Sequence, residues 1–204
     1  MNHYHIKSID YQDCKEWFLK KHYAKRIPSV SYCFGLFEEV ELIGVCSIGK
    51  PASPSLCIGV CGESESKFVY ELNRLIIKDH LPKNTLSWFV SQCLKLLPSM
   101  ILVSYADSKQ GHHGYIYQAT NWIYTGATKE RTDIGSEDGS HSRHYKSGET
   151  QRKFRSSKHR YIYFVGKHKK QWIVKLNYPT QPYPKGDNKR YDTSYQPTIQ
   201  TKLL

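Results

Sequence analysis

The spacing of apolar residues changes along this chain, and each change marks an element. Leu86, Phe89, Val90, Cys93, Leu94 and Leu97 recur at helical spacing and build one apolar face. Pro98 stops that helix, and Asn84 or Thr85 is placed to cap its start. Before it, Tyr70–Ile77 reads as a strand ending in the run Leu75-Ile76-Ile77. Lys78–Asn84 between them is a turn, because Pro82 bars helix there. After it, Ile101–Val103 is short and apolar, like a strand covered on both faces. It runs into Ser104-Tyr105-Ala106-Asp107, where polar groups gather at a strand's C-terminal end, the end at which open α/β sheets bind ligands. Gly114–Tyr124 reads as a second helix closed by Gly126.

The flanking pattern is consistent with one mixed sheet. Residues 10–21 form a helix pattern, with Asp10 as cap and Cys14, Trp17 and Phe18 as an apolar stripe. Ser31–Phe37 and Glu41–Gly49 read as a hairpin turning at Glu38-Glu39-Val40. Residues 49–54 break the pattern, and 55–68 read as loop. Residues 127–157 show almost no apolar periodicity and read as a basic insertion that is either functional or mobile. Lys158–Val165 alternates like a strand, and Gln171–Leu176 is another short apolar piece. Asn177–Lys185, rich in Pro and Tyr, reads as extended, and 186–204 as a tail with little to pack. The expected organisation is a single domain over 1–185 followed by that tail.

Charge narrows the partners. Among 204 residues, 30 Lys and Arg oppose 18 Asp and Glu, a formal net charge of +12. That balance suits an anionic partner, of which nucleic acid is the usual one. No apolar run approaches the roughly 20 residues that a membrane span needs. The opening MNHYHIKSID is too polar for a signal peptide, so a cytoplasmic protein is expected. The six cysteines are scattered, with no C-x-x-C, and read as reduced thiols; Cys57 and Cys61 are a weak metal-ligand pair.

Several residues carry candidate chemistry. Arg74 has apolar neighbours and needs a partner, Glu71 or Asp107, or else an anion to bind. The turn into the helix after Lys83 offers free amides to a phosphate, with Asn84 and Ser87 as side-chain donors and Lys83 as added charge. Asn84 and Ser87 are equally plain capping residues. Tyr105 and Asp107 share one face of a strand end. Asp107 is suited to orient or deprotonate an amine, or to form a turn; Tyr105 is suited to donate a proton or stack on a base. His112 lies in a Gly-His-His-Gly loop able to approach a ligand. Tyr117 and Tyr124, at i, i+7, would share a helix face as proton donors or as aromatic core. Lys25, Arg26, Arg131, Arg143, Arg152, Lys153, Arg155, Lys158 and Arg160 are candidates for phosphate contact, and the chain's 16 Tyr and 4 Trp for base stacking.

The segments ELNRLIIKDHLPKNTLSWF and VSYADSKQGHHGYIYQATNWIYTG resemble the Mom family of phage DNA-modification proteins, a divergent branch of the GCN5-related N-acyltransferase (GNAT) fold. The resemblance runs roughly from His22 to Lys185. It implies an α/β fold with a mixed, splayed sheet flanked by helices. It also implies attachment of a carbamoylmethyl (acetamido) group to N6 of adenine in double-stranded DNA, with the base flipped out, protecting phage DNA from host restriction. For a phage-encoded chain the setting is the host cytoplasm. By resemblance, Arg74 aligns with the Arg of the family's ELxRL motif. Tyr117 matches the tyrosine that protonates the leaving thiolate in acyltransferases of this fold, and His22-Tyr23 matches a His-Tyr pair common in the family, the place to look for iron or another metal. The fold implies an acyl-CoA such as acetyl-CoA, held at the helix after Lys83. Here KDHLPKNTLS replaces the usual glycine-rich loop, and acyl transfer would give an amide, so another activated donor stands beside CoA. An ordinary N-acyltransferase acting on a protein or small amine, and a non-enzymatic DNA-binding module, are the rival readings. Oligomeric state is open, a homodimer included.

Overall fold

The structure is a computed structural model, and it describes residues 3–135 and 151–186. Seven strands form one sheet in the order β1-β2-β3-β4-β5-β9-β6. They are β1 (Tyr4–Ser8), β2 (Tyr32–Glu38), β3 (Glu41–Gly49), β4 (Val69–Ile77), β5 (Met100–Asp107), β6 (Ile123–Ala127) and β9 (Lys158–Val165). Neighbours are antiparallel except β4 and β5, which are parallel. That parallel pairing covers only Val69–Glu71 against Ile101–Val103. Beyond it β4 runs on to Ile77 and β5 to Asp107, so the sheet forks into two arms. This is the mixed, splayed α/β architecture that the resemblance implies. A separate ribbon, β7 (Arg131–Gly135) with β8 (Gln151–Arg155), arises from the insertion.

Helices cover both faces because buried strand residues alternate between them. On one face α3 (Thr85–Leu96) presents Phe89, Val90, Cys93 and Leu94 to Ile48, Leu72 and Leu102. On the other, α2 (Pro54–Cys61) and α5 (Lys169–Val174) pack Val60, Cys61 and Trp172 against Ile101, Val103, Ile162 and Phe164. There α1 (Tyr11–Glu16), continued by a π-helical turn over Trp17–Lys21, packs Cys14, Trp17 and Phe18 against Cys33, Val45 and Ile76. All six cysteines are free thiols. Among the described residues no helix is long and apolar enough to cross a membrane.

The structure corrects three expectations and adds one strand. The second helix, α4, spans only Tyr115–Ala119. Asn121 adopts a left-handed backbone (φ 60°), which asparagine tolerates, and the aromatic and β-branched Ile123–Thr125 join the sheet beside β9. Tyr117 and Tyr124 therefore share no helix face. Residues 55–68 are not loop: Ser53 caps the Leu56 amide, Pro54 opens α2, and a 3-10 turn covers Glu63–Phe68. The polar start hides β1, an edge strand whose Tyr4 is buried under α3. Asn84 caps nothing with its side chain; it sits at φ 70°, while Ser87 Oγ donates to the Asn84 carbonyl and Thr85 Oγ1 to that of Pro82. Residues 177–185 carry no helix or strand, and the 187–204 part of the tail lies outside the described residues.

Candidate active site

The fork between β4 and β5 opens a cleft of about 1540 Å³. One rung past the last ladder pair, Ser104 Oγ donates to the Leu72 carbonyl (2.8 Å) and lies 2.7 Å from the Tyr117 hydroxyl. A serine has one proton and a carbonyl only accepts, so the phenol is the donor in that second bond. Tyr117 thus braces the fork while lining the cleft. Burial raises its pKa well above the ordinary range, so it stays a neutral phenol.

Glu71 stands where the strands part. Its carboxylate lines the cleft, and no hydrogen bond or ion pair from the described residues reaches it. Desolvation raises its pKa, against the pull of Arg74, Arg26 and Lys158. Its charge is felt at Tyr23, Tyr105 and Tyr117, which face the same space. Glu71 was weighed from sequence only as a partner for Arg74; that it closes the strand ladder at the fork is visible only in the register. Arg74 instead donates to the carbonyls of Asn73 (2.6 Å) and Arg26 (2.9 Å). A bulge places it there: Ser47 opposes Arg74 and Ile48 opposes Leu72, leaving Asn73 as the extra residue.

Asp107 differs. It does not line the cleft. Its carboxylate accepts from Lys158 Nζ (2.8 Å), Ser156 Oγ (2.5 Å) and the Lys109 amide (3.0 Å). Desolvation pushes its pKa up, but the Lys158 and Ser156 bonds and the Lys158 charge outweigh that and hold it below the ordinary value. Lys158 itself reaches the cleft. Tyr105 lines the cleft with its pKa raised by burial.

His22 and Tyr23 stack at 4.4 Å at the cleft wall. Lys21, with its side chain fully buried, pairs with Asp79 (2.9 Å) and ties this corner to the turn before α3. Burial, then the charges of Arg74, His112 and Arg26, push His22 down to about 2, so the ring is neutral. Its Nδ1 accepts from the Ala24 amide (3.1 Å), which leaves the proton on Nε2. A metal at this pair would have to displace the Ala24 amide from Nδ1 or the proton from Nε2. Burial pushes Tyr23 up to about 12. Among the described residues no group of three or more His, Cys, Asp or Glu is arranged to hold a metal, around Cys57 and Cys61 included. His112 lines the cleft and meets Tyr23 edge-on at 6.1 Å.

The start of α3 also lines the cleft. The amides of Thr85 and Trp88 bond to Pro82 and Asn84, but those of Leu86 and Ser87 meet no acceptor in the described chain. Lys83 lies beside them on the cleft wall. Left-handed His80 (φ 61°) and Asn84 (φ 70°) turn the chain without glycine. Two open amides at a helix N-terminus with a lysine fit the phosphates of a CoA-like donor.

The basic candidates divide. Arg26, Arg131, Arg155 and Lys158 line the cleft, and Lys25 is exposed near it. Arg160 is committed elsewhere: it donates to Thr125 and stacks over Tyr178 at 3.4 Å, pinning the extended segment after α5. Arg143, and the side chains of Arg152 and Lys153, lie outside what is described. Tyr115, 54% exposed at the cleft mouth, was not singled out from sequence.

The profile of the Mom protein family matches residues 3–185. The chain belongs to the Mom family. It is 30% identical over 187 residues to the methylcarbamoylase Mom of Escherichia phage Mu, covering 81% of this chain and 77% of that protein. Among solved structures it is similar to an acetyltransferase of Bacillus subtilis in complex with CoA, at 12% identity and a TM-score of 0.45 over 79% of this chain and 99% of that one. It is also similar to a putative acetyltransferase of Salmonella typhimurium with its cofactor acetyl-CoA, at 11% identity and a TM-score of 0.48 over 81% and 95%.

Proposed function

We propose that this Mom-family chain is a DNA-modifying transferase that attaches a carbamoylmethyl group to N6 of adenine. The observation that carries the mechanism is the Glu71 carboxylate, desolvated, facing the cleft and without a hydrogen-bond partner in the described chain. The exocyclic amine of adenine is a weak nucleophile and must shed a proton as its new bond to carbon forms. A carboxylate with a raised pKa is matched to that task.

The adenine leaves the duplex to reach the fork. Arg26, Arg131, Arg155 and Lys158 hold the phosphates, with Asp107 positioning Lys158, and Tyr115 and Tyr105 offer faces to the base. Glu71 takes the N6 proton. Arg74 steadies negative charge developing on the departing group, and Tyr117 keeps the fork open at a fixed width. Leu86 and Ser87 amides with Lys83 grip the donor's phosphates. When bound, an acyl-CoA or another phosphate-bearing activated donor supplies the electrophilic carbon. Attack at a thioester carbonyl yields an amide, so carbamoylmethyl transfer calls for an electrophilic methylene.

The test is mass spectrometry of nucleosides from plasmid DNA in cells expressing the chain or its Glu71→Gln variant. The expected result is a new deoxyadenosine species with the intact chain and its loss with the variant. Unaltered deoxyadenosine with soluble protein overturns DNA modification. If purified chain then acetylates amines and releases CoA, it is an ordinary N-acyltransferase; if it only binds DNA, it is a binding module.

A further inference from the structure

The ribbon of β7 and β8 pairs with no other strand of the described chain, and its register runs from Arg131↔Arg155 through Thr132↔Phe154. Side chains alternate sides along a strand, so the Arg131–Arg155 pair and Phe154 point to opposite faces. The two arginines line the cleft. Phe154 does not, and it is 59% exposed. A single exposed aromatic is ordinary. This one adjoins Arg155 in sequence and lies across the ladder from Thr132, both cleft residues, on a two-stranded ribbon of the kind that enters a DNA groove.

We propose that the ribbon is the element that parts the target adenine from the duplex, with Phe154 as the wedge that fills the gap the base leaves. The inference rests on the reading that the cleft takes adenine from double-stranded DNA. Arg131 and Arg155 border the cleft and hold the phosphates that flank the extruded nucleotide. Thr132, across the ladder from Phe154, also lines the cleft, so the exposed Phe154 stands at the cleft's edge, beside the gap that the base leaves. Extruding a base from B-DNA forfeits stacking on both neighbours, a cost of a few kcal/mol. A phenyl ring slid into the vacancy restores part of it without reading sequence, because every base offers a π face. Charge complementarity commits the surface to DNA: Lys129, Arg131, Arg155 and Lys158 surround the same mouth.

The experiment uses the full chain and duplexes built on a site found modified in the plasmid assay, with 2-aminopurine at the target position. The strand opposite carries either thymine or an abasic site. The wild-type chain should raise 2-aminopurine fluorescence on both duplexes. Phe154→Ala should lose most of the rise on the paired duplex, keep it where the partner base is missing, and cut plasmid modification by roughly 10- to 100-fold, the share of unstacking the ring offsets. Phe154→Leu, which keeps an apolar wedge, should recover part of both signals. Equal behaviour of Phe154→Ala and wild type on the paired duplex overturns the wedge. So does an equal loss on both duplexes, which marks a general binding or folding defect. Failure of the DNA reading itself shows separately, as absence of modified nucleoside with the wild-type chain.

Discussion

Two carboxylates stand on the two arms of the fork and meet opposite fates. Glu71, on β4, faces the cleft with no hydrogen-bond partner in the described chain and has its pKa raised. Asp107, at the end of β5, does not line the cleft, is engaged by Lys158, Ser156 and the Lys109 amide, and has its pKa lowered. The difference lies in what surrounds each group, since both are simple carboxylic acids that feel the Lys158 charge. Environments that push two acids apart assign their roles: the raised one suits proton transfer, and the lowered one suits holding a cation in place.

The largest expected effect is on Glu71. Glu71→Gln should lower the rate of modification by about 10²- to 10⁴-fold with little change in DNA binding, read by nucleoside mass spectrometry beside a gel-shift assay. A loss of binding of the same size would reassign Glu71 to recognition. Next, kcat/KM of the wild-type chain should rise with pH through an ionisation above the ordinary Glu value, because the active form is the deprotonated one. Asp107→Asn should leave that limb in place. The same variant should cost about tenfold in activity, carried by KM for DNA as Lys158 loses its anchor.

The smallest effects are on stability, and their signs should oppose each other. The raised folded-state pKa of Glu71 means stability that is present at low pH and is lost as pH rises through the folded value. Glu71→Gln should therefore raise Tm at about pH 8 and lose that advantage at about pH 4. The lowered pKa of Asp107 gives the reverse: stability present above its unfolded value and lost as pH falls through the folded one. Asp107→Asn should lower stability by about 1–2 kcal/mol near neutral pH, discounted for the partial exposure of Lys158, with the gap closing on acidification. Matching signs for the two variants would erase the contrast.

How much of this was legible before the fold depended on the range of the interaction involved. The helix over Thr85–Leu96 was readable because one turn of apolar spacing is local information. The β5 and β9 strands were readable for the same reason. The helix expected to reach Tyr124 was not, since the choice between helix and strand at Ile123–Thr125 was made by β9, which lies more than thirty residues on. Edge strand β1 escaped because its buried Tyr4 is covered by a helix far along the chain.

By itself the sequence determined the family, the α/β alternation around Tyr70–Asp107, the basic charge, and the residue types at the site: acid, arginine, tyrosine. Those are properties of composition, order and short-range period. The tertiary structure alone decided which acid faces the cleft and which is bound to a lysine. Glu71 and Asp107 are equivalent as letters. Their different pKa shifts come from desolvation at the fork for one and from Lys158 and Ser156, brought back across β9, for the other. Desolvation and long-range pairing exist only once distant segments have packed, so no local pattern could carry them.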